Sequence, residues 1–181
     1  MGSCSNLHIT LFTTFIYFQL LSLQLTQSVD IIKVLTDNHD FNILTSLLSA
    51  SGVIQDFNNA QGNVGVTIFA PTDADFAKLS QSGRFQSLGA QQKALVLKFH
   101  GIHSYYPQGI LKTLVNPFQP TFATEATSAG SYRFSLSNFR GNVVIRTGVG
   151  NGSVVLKTIY DQKPVAIYSV SDVLLPRELF L

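Results

Sequence analysis

The chain has 181 residues, 45% of them hydrophobic and 12% charged, with a formal net charge of +2. This excludes a polar disordered tail, which needs low hydrophobicity and high net charge, and supplies no basic excess of the kind that steers a protein to nucleic acid. The single cysteine, Cys4, excludes an intramolecular disulfide, a zinc finger and a CxxC redox pair.

Asp30 is the first charged side chain. Residues 9–25, ITLFTTFIYFQLLSLQL, form an apolar run broken only by Gln, Ser and Thr. Residues 1–8 precede it as an n-region, and Thr26 and Ser28 place small residues three and one before a cut at Val29. This layout predicts a secretory signal peptide over 1–28 and an exported chain. An uncleaved signal anchor fits less well, because 17 residues of helix span about 25 Å against a bilayer core of about 30 Å. Lipidation at Gly2 and Cys4 fits less well too, since Asn6 stands where the myristoylation pattern wants Ser or Thr. Cleavage leaves 153 residues, 29–181, without a cysteine. They are read as one domain with its core at about 30–176, enough to bury roughly 68–70% of its unfolded surface without cross-links. All 22 charges fall on that segment and nearly balance. The expectation is a weakly charged surface that recognises partners by shape, hydrogen bonds and aromatic side chains.

Apolar residues at helical spacing (Val29, Ile32, Leu35, then Phe41, Leu44, Leu47, Leu48) predict two helices, the second capped by Asp40 and stopped at Gly52. Residues 66–69 read as a short buried strand ended by Pro71. Thr72 then caps a helix, with Asp75 completing a capping box and Phe76 and Leu79 facing inward. Residues 91–99 form a third amphipathic helix with Leu95, Val96 and Phe99 inward. Beyond Tyr105 the period becomes two: Tyr132, Phe134 and Leu136 alternate with Arg133, Ser135 and Ser137. Residues 143–146, 153–160 and 165–170 read as further strands. Helices first and strands second predict an α+β domain.

No catalytic arrangement stands out. There is no Gly-x-Ser-x-Gly elbow. The run Gly148-Val149-Gly150-Asn151-Gly152 has Ser153 where a dinucleotide loop needs glycine, and a strand rather than a helix follows, so it reads as a hairpin turn. His100 and His103 have metal-compatible spacing but no third ligand near in sequence. Asp73 and Asp75 read as charges favoured at a helix start. Asp37, Asp40, Asp56, Glu125 and Asp161 are scattered, without the pairing of a glycosidase. No catalytic residue, metal site or cofactor is expected. Asn151-Gly152-Ser153 is the one Asn-x-Ser/Thr sequon, which makes Asn151 a glycosylation candidate.

The segment Thr67-Ile68-Phe69-Ala70-Pro71-Thr72-Asp73 through Phe76 resembles the first signature block of fasciclin (FAS1) domains, with Asp75 where that family often has Ala. Leu97-Lys98-Phe99-His100, followed by Tyr105-Tyr106, resembles the family's central Tyr-His segment, with Phe99 in the Tyr place. Residues 143–175, closing on Val173-Leu174-Leu175-Pro176, are similar to the second block. The wording FHGIHSYYPQGIL and RTGVGNGSVV resembles the plant fasciclin-like arabinogalactan proteins most. The chain departs from those in lacking runs of Ala-Pro, Ser-Pro and Thr-Pro, and it stops at Leu179-Phe180-Leu181 just after the last block, where many of them carry a GPI signal; the expectation is either a secreted single-domain form or a truncated product of a longer gene.

The resemblance implies a FAS1 fold: wedge-like β-sheet of about six or seven strands with several N-terminal helices packed around it. It implies a secreted or cell-surface, non-catalytic adhesion module of the extracellular matrix or plant cell wall. Its partners would be extracellular proteins or wall polysaccharides, not nucleic acid, and it would meet a membrane only through a signal anchor or an isoform-specific GPI anchor. The family's adhesion segment maps onto Phe99, His100, Tyr105 and Tyr106 as candidate binding residues. Two other readings are a carrier or sensor of a small apolar ligand, which needs a closed aliphatic cavity, and a wall-modifying enzyme, which needs two carboxylates across one groove.

Overall fold

The computed structural model describes residues 28–62, 64–114, 118–127 and 130–181. The expected signal peptide, 1–28, lies outside the described residues apart from Ser28, and Cys4 with it. Three helices come first: α1 (Ile31–Asp37), α2 (Asn42–Ser51) and α3 (Val53–Ala60). The inward face of α1 is set by Ile31 and Leu35, one helical turn apart and fully buried, while Ile32 is only half buried. The expected Val29, Ile32, Leu35 stripe is therefore rotated.

Two expectations for α2 need correction. Asp40 does not cap it. Phe41 occupies the cap position without a side-chain hydrogen bond. The carboxylate of Asp73, at the start of another helix, accepts the Ile43 backbone N–H at 2.7 Å and Asn42 Nδ2 at 2.9 Å. A cap supplied from 30 residues away leaves no local signal. Gly52 does end α2, with φ at +74°, but the same residue opens α3. Val53, Ile54, Phe57 and Ala60 then give α3 its own buried face, a helix that the sequence reading passed over.

Strand β1 (Val66–Pro71) runs through Pro71 rather than stopping at Phe69, pairing in parallel with β7 (Val165–Val170) along its whole length. Helix α4 (Asp73–Gln81) starts at the expected capping box. Asp75 Oδ2 accepts the Thr72 N–H at 3.0 Å and its hydroxyl at 2.6 Å. Helix α5 (Ala90–Lys98) buries Val96 and Leu97, with Leu95 only half buried. Four short elements follow: β2 (Gly101–Ile102), α6 (Gln108–Leu111), β3 (Gln119–Pro120) and α7 (Phe122–Ala126). The period-two region forms β4 (Arg133–Phe139), β5 (Asn142–Arg146) and β6 (Ser153–Gln162). After β7 the chain ends on α8 (Arg177–Phe180).

The strands form one seven-stranded sheet in the order β2-β1-β7-β6-β5-β4-β3. Only β1 and β7 pair in parallel. Both are buried throughout, as parallel strands covered on two faces must be. Their side chains alternate between two apolar clusters. Val66, Ile68, Ala70, Val165 and Ile167 meet the N-terminal helices. Phe69, Ala166, Tyr168 and Val170 belong to a second cluster with Phe99, Phe134 and Ile145. The α+β class expected from the order of the elements is the observed one.

Candidate functional site

The segment 99–106 runs from the end of α5 across β2. Phe99 is 0% exposed, and its ring meets Phe134 edge-on at 5.6 Å. His100 is 1% exposed. Its Nδ1 lies 2.7 Å from the Val96 carbonyl, and its Nε2 accepts the Leu174 backbone N–H at 2.9 Å. A carbonyl only accepts and an amide only donates, so the ring is neutral with its proton on Nδ1. Burial pushes its pKa down to about 4. His100 thus ties α5 to the Leu174 end of the second signature block, and neither ring nitrogen is left for a metal. Gly101 follows because a Cβ there would stand 2.6 Å from the Phe57 ring.

Tyr105 and Tyr106 are half buried at the rim. The Tyr105 hydroxyl donates to Asp161 Oδ1 at 2.9 Å, and the Gln108 N–H donates to Oδ2 of the same carboxylate at 2.9 Å. The Tyr106 N–H donates to Thr67 Oγ1, and its carbonyl accepts the Tyr168 hydroxyl at 2.8 Å. Burial raises the pKa of the Tyr105 and Tyr168 hydroxyls, and the Asp161 charge raises both further. The four candidates therefore do not form one surface: Phe99 and His100 are interior, and only the two tyrosines reach solvent.

His103 leaves the core and stacks on Phe122 at 3.5 Å, with Nε2 3.0 Å from Glu125. Burial lowers its pKa, against the pull of Glu125 and Asp56. These residues line a groove of about 320 Å³ that also holds Lys98, paired with Asp56 at 2.9 Å. Two carboxylates that looked scattered do share a groove, but each is tied to its own basic partner. A larger groove of about 480 Å³ lies between α4 and the β5–β6 turn, with Asn151 on its rim. Asp75, Lys78, Arg84 and Asp172 line it, so it is not the closed aliphatic cavity that an apolar-ligand carrier requires. Asn151 is exposed. The Ser153 hydroxyl of its sequon is buried, donating to the Asp172 carbonyl at 3.2 Å and accepting its N–H at 3.1 Å.

The charges nearly balance over residues 29–181 but are unevenly placed. Residues 76–160 hold nine Lys and Arg and one acid, Glu125, whereas residues 29–75 hold one Lys and six Asp. Counting charges in blocks would have found this; a whole-chain total hides it. In the fold it makes the β4–β6 region basic. Lys112, Arg140, Arg146 and Lys157 form no ion pair among the described residues.

A model of the Fasciclin domain family matches residues 39–176. The chain belongs to the fasciclin domain family. Among curated relatives, it is 48% identical over 153 residues to fasciclin-like arabinogalactan protein 4 of Arabidopsis thaliana, covering 84% of this chain and 36% of that one. It is 37% identical over 135 residues to fasciclin-like arabinogalactan protein 10 of the same plant, covering 75% and 31%. The chain thus spans about a third of the length of these two relatives. Its fold is similar to a FAS1 domain pair from the insect cell adhesion molecule fasciclin I. That likeness has a TM-score of 0.55 at 16% identity and covers 76% of this chain and 46% of that one.

Proposed function

We propose that this fasciclin domain is a non-catalytic adhesion module, secreted or held at the cell surface, that binds extracellular proteins or cell-wall carbohydrate. The observation that carries the reading is the 48% identity to a fasciclin-like arabinogalactan protein across nearly the whole folded region. The FAS1 fold, also seen in an insect cell adhesion molecule, and the exported character of the N-terminal sequence support it. Within the candidate segment, Tyr105 and Tyr106 are the residues proposed to touch a partner, because they alone of the four reach solvent while Phe99 and His100 are interior.

A binding screen of the secreted chain against wall polysaccharides and extracellular proteins tests this. At least one class should bind saturably, and a variant with Tyr105→Ala and Tyr106→Ala should bind more weakly while keeping its fold. Absence of binding to every class would contradict the module reading. Unchanged binding by the folded variant would remove the tyrosines from the site. Asn151 is proposed to carry an N-glycan, added before the β5–β6 turn closes over Ser153. A mass shift lost in Asn151→Gln after expression in a eukaryotic secretory host tests that point.

A further inference from the structure

The hairpin β4–β5, the strand β6 and the short helix α6 meet at one end of the sheet in a way that the core does not demand. Phe139 and Arg140 sit at the hairpin tip. The two-residue turn Arg140-Gly141 has φ of +53° and +85°. Such turns take Asn or Gly, because a left-handed backbone crowds the Cβ of a side-chain-bearing residue against the following carbonyl oxygen. Arg140 bears that strain while its guanidinium lies over the exposed Phe139 ring at 5.2 Å. In β6 the pairing with β7 skips from Val155 to Lys157, leaving Leu156 as a bulge. Bulges re-aim side chains, and here a leucine is left 62% exposed. Phe139 is 56% exposed and Ile110, on α6, 50%.

Lys112, Leu156 and Lys157 line one cleft together with Leu111, Gly141 and Asn142. Ile110 is the chain neighbour of Leu111, and Phe139 and Arg140 lead directly into Gly141, so these three border the cleft along the chain. Asn138 Nδ2 donates to the Lys112 carbonyl at 2.9 Å, fastening α6 to the hairpin. Asp161 is the nearest acid in sequence to Lys157, and both its oxygens are occupied by Tyr105 and Gln108. Among the described residues, Lys112 and Lys157 in the cleft and Arg140 beside it form no ion pair, and exposed Phe139, Leu156 and Ile110 lie on the same elements, with the hairpin tip held in a left-handed turn. Strain of this kind is kept where it presents a side chain.

Resting on the adhesion reading above, we propose that this face binds an acidic polysaccharide, a chain of uronate sugars. Its carboxylates would pair with Lys112, Arg140 and Lys157, and the C–H faces of its rings would lie against Phe139, Leu156 and Ile110. Neutral chains leave the cations unanswered. An acidic peptide would answer the same cations, and the poly-glutamate arm of the test below separates the two. A polymer read along its length by several weak contacts fits a shallow, charged, partly apolar face.

The test is titration of the secreted chain with a homo-oligogalacturonate of about ten sugars, followed by amide chemical shifts and calorimetry. A neutral oligosaccharide of equal length and a poly-glutamate peptide serve as controls. The expected result is saturable binding that weakens with added salt, with shifts at residues 110–112, 139–142 and 156–158. Each exposed ion pair accounts for about threefold in affinity, so the variant Lys112→Gln/Arg140→Gln/Lys157→Gln should lose about 30-fold. Equal binding of the neutral chain, equal binding of poly-glutamate, or full affinity in the folded triple variant would each overturn the proposal. If uronate fails while other wall polymers or proteins bind, the adhesion reading stands without this site; if nothing binds, that reading fails as well.

Discussion

The segment 99–106 and the β4–β5 hairpin present opposite designs. In the first, both ring nitrogens of His100 are matched, Phe99 is sealed in the second apolar cluster, and both tyrosines are tethered by hydrogen bonds. In the second, the cations have no acidic partner among the described residues, apolar side chains face solvent, and an arginine sits in a left-handed turn. The first optimises the fold and the second departs from that optimum, which is where recognition is to be sought. A recognisable motif can therefore mark what holds a domain together rather than what it touches.

Substitutions should separate the two designs, beginning inside. Phe99→Ala removes a fully buried ring against Phe134 and should cost about 3–5 kcal/mol in urea unfolding, a large share of a domain's stability. His100 makes stability depend on pH with a definite sign. Its folded pKa is about 4, against 6.5 for the unfolded chain. The unfolded state binds the extra proton, so stability is full above about pH 6.5 and falls as the pH drops towards 4. The loss over that window is roughly 3 kcal/mol. Unfolding curves across it should show the slope in the native chain and lose it in His100→Gln; a flat native profile would mean that the ring is not held neutral. Asp73→Ala removes the distant cap of α2 and should cost about 1 kcal/mol, with faster amide exchange at Ile43.

Much of this was legible in the sequence, for reasons that are local. Thr72 and Asp75 lie three residues apart, so their capping box is written in adjacent positions. The alternation of Phe134 and Leu136 with Ser135 and Ser137 is likewise a short-range signal, and so is the order of helices before strands. What escaped depended on contacts far apart in the chain. Asp73 caps a helix 30 residues upstream. His100 finds Leu174 across 74 residues, which turns a candidate binding residue into a strut. The basic face is assembled from α6, the hairpin tip and β6; a block count over residues 76–160 shows the excess of Lys and Arg, but not which of them the fold brings together.

Arg140→Asn tests the central contrast most directly, because it places in the left-handed turn a residue that tolerates it and removes one cation. Urea unfolding together with oligogalacturonate titration should move in opposite directions. Stability should rise by about 1 kcal/mol while affinity falls about threefold. A variant that loses stability, or that gains stability and binds uronate as tightly as the native chain, would contradict the account.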